Sequence, residues 1–153
     1  MSTPGAYLLD TSIVLHLIRE THIGALIADE YGLRASTFRP LICEVTLGEL
    51  EAFAHGRGWG ERKREVLDEL KRWLVAIDIS DPTVMHAYAE ISTLAKTNGW
   101  SIVSAKNDLW IAAATHASNG TLLTMDRKEF RPLRDGGHLS IAILDARSGR
   151  TMS

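Results

Sequence analysis

Short apolar runs alternate with segments of helical period along almost the whole chain, and that alternation permits few architectures. Tyr7-Leu8-Leu9 runs into Asp10-Thr11-Ser12, three N-cap residue types placed before Ile13-Val14-Leu15-His16-Leu17-Ile18, so a strand enters a helix. Ile23 to about Tyr31 carries Ile23, Leu26 and Ile27 at helical spacing and stops at Gly32. Pro40 introduces Leu41-Ile42-Cys43, short enough for a buried strand. Thr46 with Glu49 three residues on reads as a capping box starting a helix over Leu47 to His55. Glu61 to Leu74 is the next helix, with Val66, Leu70, Trp73 and Leu74 as its apolar stripe.

Ile77-Asp78-Ile79 is the following candidate strand. Asp81-Pro82 pairs an N-cap with a proline at N1 and starts a helix that runs to Asn98-Gly99. A helix with Asp108 in its first turn, a strand over Thr121 to Thr124 and a last strand over Leu139 to Leu144 complete the series. Strands separated by helices cannot be joined as hairpins, so the pattern predicts an α/β fold with a central, mostly parallel sheet flanked by helices. Residues 1–145 read as a single domain, and residues 146–153 as a polar, flexible C-terminal tail.

The 153 residues, 45% hydrophobic and 24% charged, suit one domain with a sizeable core. A single cysteine, Cys43, leaves no internal disulfide and no multi-cysteine zinc pattern, which points to a reducing, cytoplasmic setting. The opening M-S-T-P-G lacks a basic segment followed by an apolar one, and no run reaches the length of a membrane span. With a formal net charge of −2, affinity for a polyanion has to come from a local patch.

In an open α/β sheet, ligands bind beyond the carboxyl ends of the strands, so acids that follow strands are the candidates for chemistry. Asp10 closes the first strand, and Asp126 stands two residues past Thr124. Glu49 falls in the first turn of the helix after the strand at Ile42, and Asp108 in the first turn of its own helix. Each alone also reads as a helix cap or a partner of the helix dipole. Their conjunction says more: at helical spacing Asp108 shares a face with Ile111, Ala112 and Thr115, the side that packs. A buried ion must be neutralised, paired or bound to a cation, and oxygen-only ligands favour Mg²⁺ or Mn²⁺ over zinc. The six histidines show no ligand spacing.

The order D-T-S-I-V-L, T-L-G-E-L, N-D-L-W-I-A-A-A-T and L-L-T-M-D-R-K-E-F resembles the PIN-domain family, most closely the VapC-like ribonuclease toxins of type II toxin–antitoxin systems, over about Tyr7 to Leu144. The resemblance implies a PIN-like three-layer sandwich. It also implies that Asp10, Glu49, Asp108 and Asp126 form the family's acidic quartet, supported by Thr124, and that the quartet holds Mg²⁺ or Mn²⁺. Met125 stands where the family often has asparagine. The implied activity is endonucleolytic hydrolysis of RNA by metal-activated water. Asp10, Asp108 and Asp126 would contact metal, and Glu49 would position metal or water.

Implied partners are the RNA substrate, a cognate antitoxin and a second copy of the chain in a homodimer. Ile13, Leu17, Ile23 and Ile27 are candidates for an antitoxin groove, with ordinary core packing as the other reading. Arg57, Arg62, Lys63 and Arg64 beside Trp59 are the first candidates for phosphate contact and base stacking. Lys106, Arg127, Lys128 and Arg131 are the second. Two rival readings stay open: an RNA-processing nuclease with no toxin role, and a catalytically silent PIN-like binding module.

Overall fold

The computed structural model describes residues 6–34 and 37–153; residues 1–5, read above for targeting signals, lie outside it. The strands are β1 (Tyr7–Leu9), β2 (Leu41–Cys43), β3 (Val75–Ile77), β4 (Thr121–Thr124) and β5 (Ser140–Ile143). They pair in parallel throughout, in the order β3-β2-β1-β4-β5. The helices are α1 (Thr11–Ile18), α2 (His22–Glu30), α3 (Glu44–Gly56), α4 (Glu61–Trp73), α5 (Pro82–Asn98), α6 (Lys106–Ala117) and α7 (Arg127–Asp135), with a 3-10 turn at Ser101–Ser104 before α6.

Both faces of the sheet are covered, so its inner strands are apolar on both sides rather than alternating. Leu9, Ile42 and Leu123 pack with Ile13, Leu17, Leu50 and Leu67 on the face of α1 to α4. Their neighbours Leu8, Cys43 and Leu122 pack with Ile91, Ile111 and Phe130 on the face of α5 to α7. The result is the three-layer α/β sandwich expected from the sequence.

The chain leaves β1 toward β2 and β3 on one side, then returns to lay β4 and β5 on the other. The direction of winding therefore reverses between β1 and β4, which opens a crevice at their carboxyl ends.

Four local readings change. Helix α3 begins at Glu44, two residues before Thr46, with no side-chain cap. Thr46 is thus a fully buried residue inside the helix rather than a capping-box residue, and Glu49 falls in the second turn rather than the first. Strand β3 covers Val75–Ile77, two residues earlier than expected, in register with β2. Helix α7 was not assigned from the sequence. The segment 146–153, expected to be loose, folds back: Leu144 bridges Thr151, Met152 N–H donates to Ile143 O at 2.7 Å, and Tyr31 Oη lies 2.7 Å from Thr151 Oγ1.

Candidate active site

Asp10 follows β1 directly and caps α1. Its N–H donates to Leu123 O of β4 at 3.0 Å, so the sheet ladder itself fixes its backbone. Its carboxylate is buried. Oδ1 accepts from Thr11 N–H at 2.8 Å, and Oδ2 accepts from Thr124 Oγ1 at 2.6 Å, across the β1–β4 crevice.

Thr124 is fully buried at the end of β4, and its hydroxyl oxygen also accepts from Asp126 N–H at 3.0 Å. One hydroxyl thereby links two of the acids. Asp126 caps α7, with Oδ1 accepting from Glu129 N–H at 3.1 Å. Glu49 projects from α3, where its Oε1 accepts from Thr11 Oγ1 at 2.7 Å, with Thr46 Oγ1 a further 3.2 Å from that hydroxyl. Asp108 stands half-buried in the first turn of α6.

The electrostatics show that these acids share one site. Burial pushes the Asp108 carboxyl up to about 7, and the charges of Asp10, Asp126, Glu49 and Glu129 push the same way, in that order. Burial also lifts Asp10 to about 6. The hydrogen bonds from Thr124 and Thr11 hold it down in part, while Glu49 and Asp126 push it further up. Among the described residues, no ion pair involves any of the four acids.

The five residues singled out from the sequence thus lie at one sheet edge. The sequence reading did not place Thr11, Ser12, Thr46 or Glu129 in the site. Ser12 Oγ accepts from Met125 N–H at 3.3 Å, which gives the residue after Thr124 a backbone partner. Adjacency to Asp10 was the available signal for Thr11 and Ser12. For Glu129 it was the three-residue spacing from Asp126.

Among the described residues, no three His, Cys, Asp or Glu side chains are grouped to hold one metal ion together. A hard dication such as Mg²⁺ usually keeps several waters and takes only one or two carboxylates directly, with substrate phosphate filling other positions. The all-oxygen donor set, whose acids form no ion pair among the described residues, fits that mode.

In the first-choice basic cluster Trp59 is buried and offers no stacking face, whereas Arg57, Arg62, Lys63 and Arg64 are exposed. Arg64 donates to Trp59 O and Ala54 O, and Arg62 pairs with Glu20. Of the second group, Lys106, Arg127 and Lys128 are exposed. Arg127, Lys128 and Arg131 border a surface depression of about 480 Å³. Arg131 is paired with Asp135. Ile13, Leu17 and Ile27 are buried core residues and Ile23 is partly buried against the same core, the second of the two readings; Leu17 also lines a pocket of about 280 Å³ between α1 and α2, and Ala25 and Leu26 are the exposed apolar positions on α2.

Fold and site together define a doubly wound parallel α/β domain with an acidic cluster at its switch point. The chain belongs to the PIN domain family, whose model matches residues 7–135. It is 26% identical over 129 residues to Ribonuclease VapC1 of Haemophilus influenzae strain R2866, covering 84% of this chain and 92% of that protein. Among solved structures it is similar to VapBC2 from Rickettsia felis bound to a promoter DNA fragment, with TM-score 0.75, 26% identity and coverage of 92% of this chain and 99% of that one. VapBC-1 from nontypeable Haemophilus influenzae shares the fold at TM-score 0.68 and 23% identity, over 90% of this chain and 97% of that one.

Proposed function

We propose that the protein is a Mg²⁺- or Mn²⁺-dependent endoribonuclease that hydrolyses RNA phosphodiester bonds, acting in the cytoplasm as the toxin of a toxin–antitoxin pair. One observation carries the reading. A buried carboxyl, Asp10, and a half-buried one, Asp108, are driven well above their ordinary value in a field of further acids, and among the described residues no basic side chain is paired to any of the quartet. Such a cluster is costly to a fold and useful to a hydrolase that recruits a dication. Similarity to a ribonuclease and to toxin–antitoxin complexes supports the substrate and the role.

When bound, the metal would polarise the phosphate and acidify the attacking water. Asp10, Asp108 and Asp126 would hold it, one or two of them directly and the rest through its waters. Thr124 orients the Asp10 carboxylate through Oδ2 and keeps Asp126 close by accepting its N–H. Glu49, with Oε1 fixed by the Thr11 hydroxyl, keeps Oε2 as an acceptor to align water for in-line attack. Exposed Arg127 and Lys128, beside Asp126, are in no ion pair among the described residues and would receive phosphates flanking the scissile bond.

An antitoxin would cover this acidic edge, and the active unit would be a homodimer. Antitoxin-free protein should cut a mixed RNA pool with Mg²⁺ or Mn²⁺, stop with chelator, and lose the activity in a folded Asp108→Asn variant. Cutting that survives both treatments would remove the acidic cluster from the chemistry. No cutting with either metal would make the domain a binding module.

A further inference from the structure

Residues 145–152 take no part in the proposed chemistry, yet the fold holds them closely. The Asp145 carboxylate accepts the N–H groups of Arg147 at 2.9 Å and Ser148 at 2.8 Å, and Asp145 N–H donates to Arg150 O at 2.8 Å. This closes a turn that brings Gly149 and Thr151 back over α2. Gly149, at φ 71°, lies so near that helix that a Cβ would stand 3.2 Å from Ile23 Cγ2 and 3.3 Å from Ile27 Cγ1. Glycine suits both that backbone conformation and that approach. Thr151 Oγ1 then meets the hydroxyl of Tyr31, the C-cap of α2, at 2.7 Å.

The far end of the segment is fixed elsewhere. Met152 N–H donates to Ile143 O of β5 at 2.7 Å, Met152 O accepts from Arg134 Nη1 of α7 at 3.0 Å, and the Met152 side chain packs against the core on the face of α5 to α7. The segment thus passes around the β5 edge and joins α2, on one face of the sheet, to α7 on the other.

Helix α2 needs such a brace. It has nine residues, of which Gly24, Ile27 and Ala28 are buried. A helix this short is marginal alone and is held by packing. Its start is secured, because Thr21 Oγ1 accepts Gly24 N–H at 2.9 Å and Gly24 closes on the backbone of His16. Its later half meets Gly149 at Ile27 and Thr151 at Tyr31. Between Leu26 and Glu30 on one side and Ser148 to Thr151 on the other, a cleft of about 490 Å³ leaves the rest of this contact open.

We propose that residues 145–152 are a releasable strap whose anchor on α7 keeps α2 folded. Seated, the strap holds α2 as a preformed face; released, it lets α2 open as a unit while the sheet stays closed. A partner docking on α2 would meet an ordered surface only with the strap seated, and would otherwise have to supply the ordering itself. That consequence rests on the proposed partner, whereas the strap does not depend on the nuclease reading.

The test follows amide hydrogen exchange in the full chain, free of metal and partner, for Arg134→Met, Tyr31→Phe and Gly149→Val. Arg134→Met is the decisive variant, because the bonds of that side chain, among the described residues, go to Asp135 and Met152 O rather than to α2. Losing one hydrogen bond moves an opening equilibrium by roughly 3- to 10-fold, so exchange at residues 26–31 should rise by that factor in Arg134→Met and Tyr31→Phe. It should rise further in Gly149→Val, where a branched side chain meets a positive φ and two isoleucines. Protection in α5 and α6 should stay at its wild-type level in all three.

Wild-type exchange of α2 in Arg134→Met would overturn the proposal. Faster exchange spread equally over α2, α5 and α6 would overturn it too, since the loss would then be global. Should Gly149→Val fail to fold, the other two variants decide between these results. Absence of RNA cleavage by the wild-type protein would remove the proposed function and leave the exchange result standing.

Discussion

Replacing Asp108 by asparagine should stabilise the metal-free protein while abolishing its proposed activity. The Asp108 carboxyl stands at about 7 against an ordinary 3.8. At 1.36 kcal/mol per pH unit, that gap corresponds to roughly 4 kcal/mol for full ionisation in the fold. Asp108 is only half-buried, and solvent screening reduces the figure to about 1–2 kcal/mol.

The sign follows from proton binding. A carboxyl whose folded value is raised gives stability that is fully present below about 4 and lost as pH rises through about 7. At pH 8 the wild-type protein has lost that contribution, whereas the asparagine variant has no such contribution to lose. In chelator at pH 8, Asp108→Asn should therefore unfold about 3–6 °C higher than wild type, with the gap shrinking toward pH 5. Saturating Mn²⁺ should close the gap by stabilising the wild type selectively. Calorimetric or urea-monitored unfolding at the two pH values checks this. A variant less stable than wild type at pH 8, or a difference independent of pH, would refute the claim that Asp108 is strained by burial and like charge.

Thr124→Val keeps shape and removes both the hydroxyl donated to Asp10 and the acceptor of Asp126 N–H. Unfolding in urea should show a loss of about 1–3 kcal/mol, and cleavage should fall more than about 10-fold. Arg127→Ala with Lys128→Ala should raise KM and flatten its salt dependence by one to two counterions, about 0.7 per phosphate contact on single strands. In contrast, Trp59→Ala should lower stability by about 3 kcal/mol or more and leave KM in place, since the indole is buried in the core. Steady-state cleavage across a salt series, beside unfolding curves, separates the two.

The βα alternation was readable because each inner strand is apolar on both faces and each major helix carries a stripe. Reading failed where those signals weaken. Val75 and Ala76 of β3 are exposed at the sheet edge, so pairing with β2 rather than burial sets that strand, and the apolar Ile77-Asp78-Ile79 pattern misdirects. The T-L-G-E capping-box pattern is overridden because Thr46 is buried beside Thr11, and the helix starts as soon as β2 ends. Helix α7 is mostly charged and holds Pro132, and only Phe130 and Leu133 bury. Trp59 as a stacking residue misleads because sequence shows composition, not facing: Gly58, at φ 58°, turns the chain so that Trp59 N–H reaches Ala54 O and its ring enters the core.

The acids were legible for a topological reason that also explains their strain. In a parallel sheet, every strand's carboxyl end and every following helix's N-terminus meet at one edge, so Asp10 and Thr124 touch although 114 residues separate them. Three helices, α1, α6 and α7, present their positive ends there, capped by or carrying Asp10, Asp108 and Asp126. Each such end offsets about 0.3–1 kcal/mol of negative charge. Burial and the neighbouring acids push the Asp108 carboxyl to about 7 and that of Asp10 to about 6. Among the described residues no ion pair offsets the four acids, so the edge is short of positive charge. Under the proposed function a dication supplies that charge, and its binding must expel protons from Asp108 and, to a lesser degree, Asp10. Affinity should consequently strengthen as pH rises through about 6 to 7, the range in which these two carboxyls give up their protons.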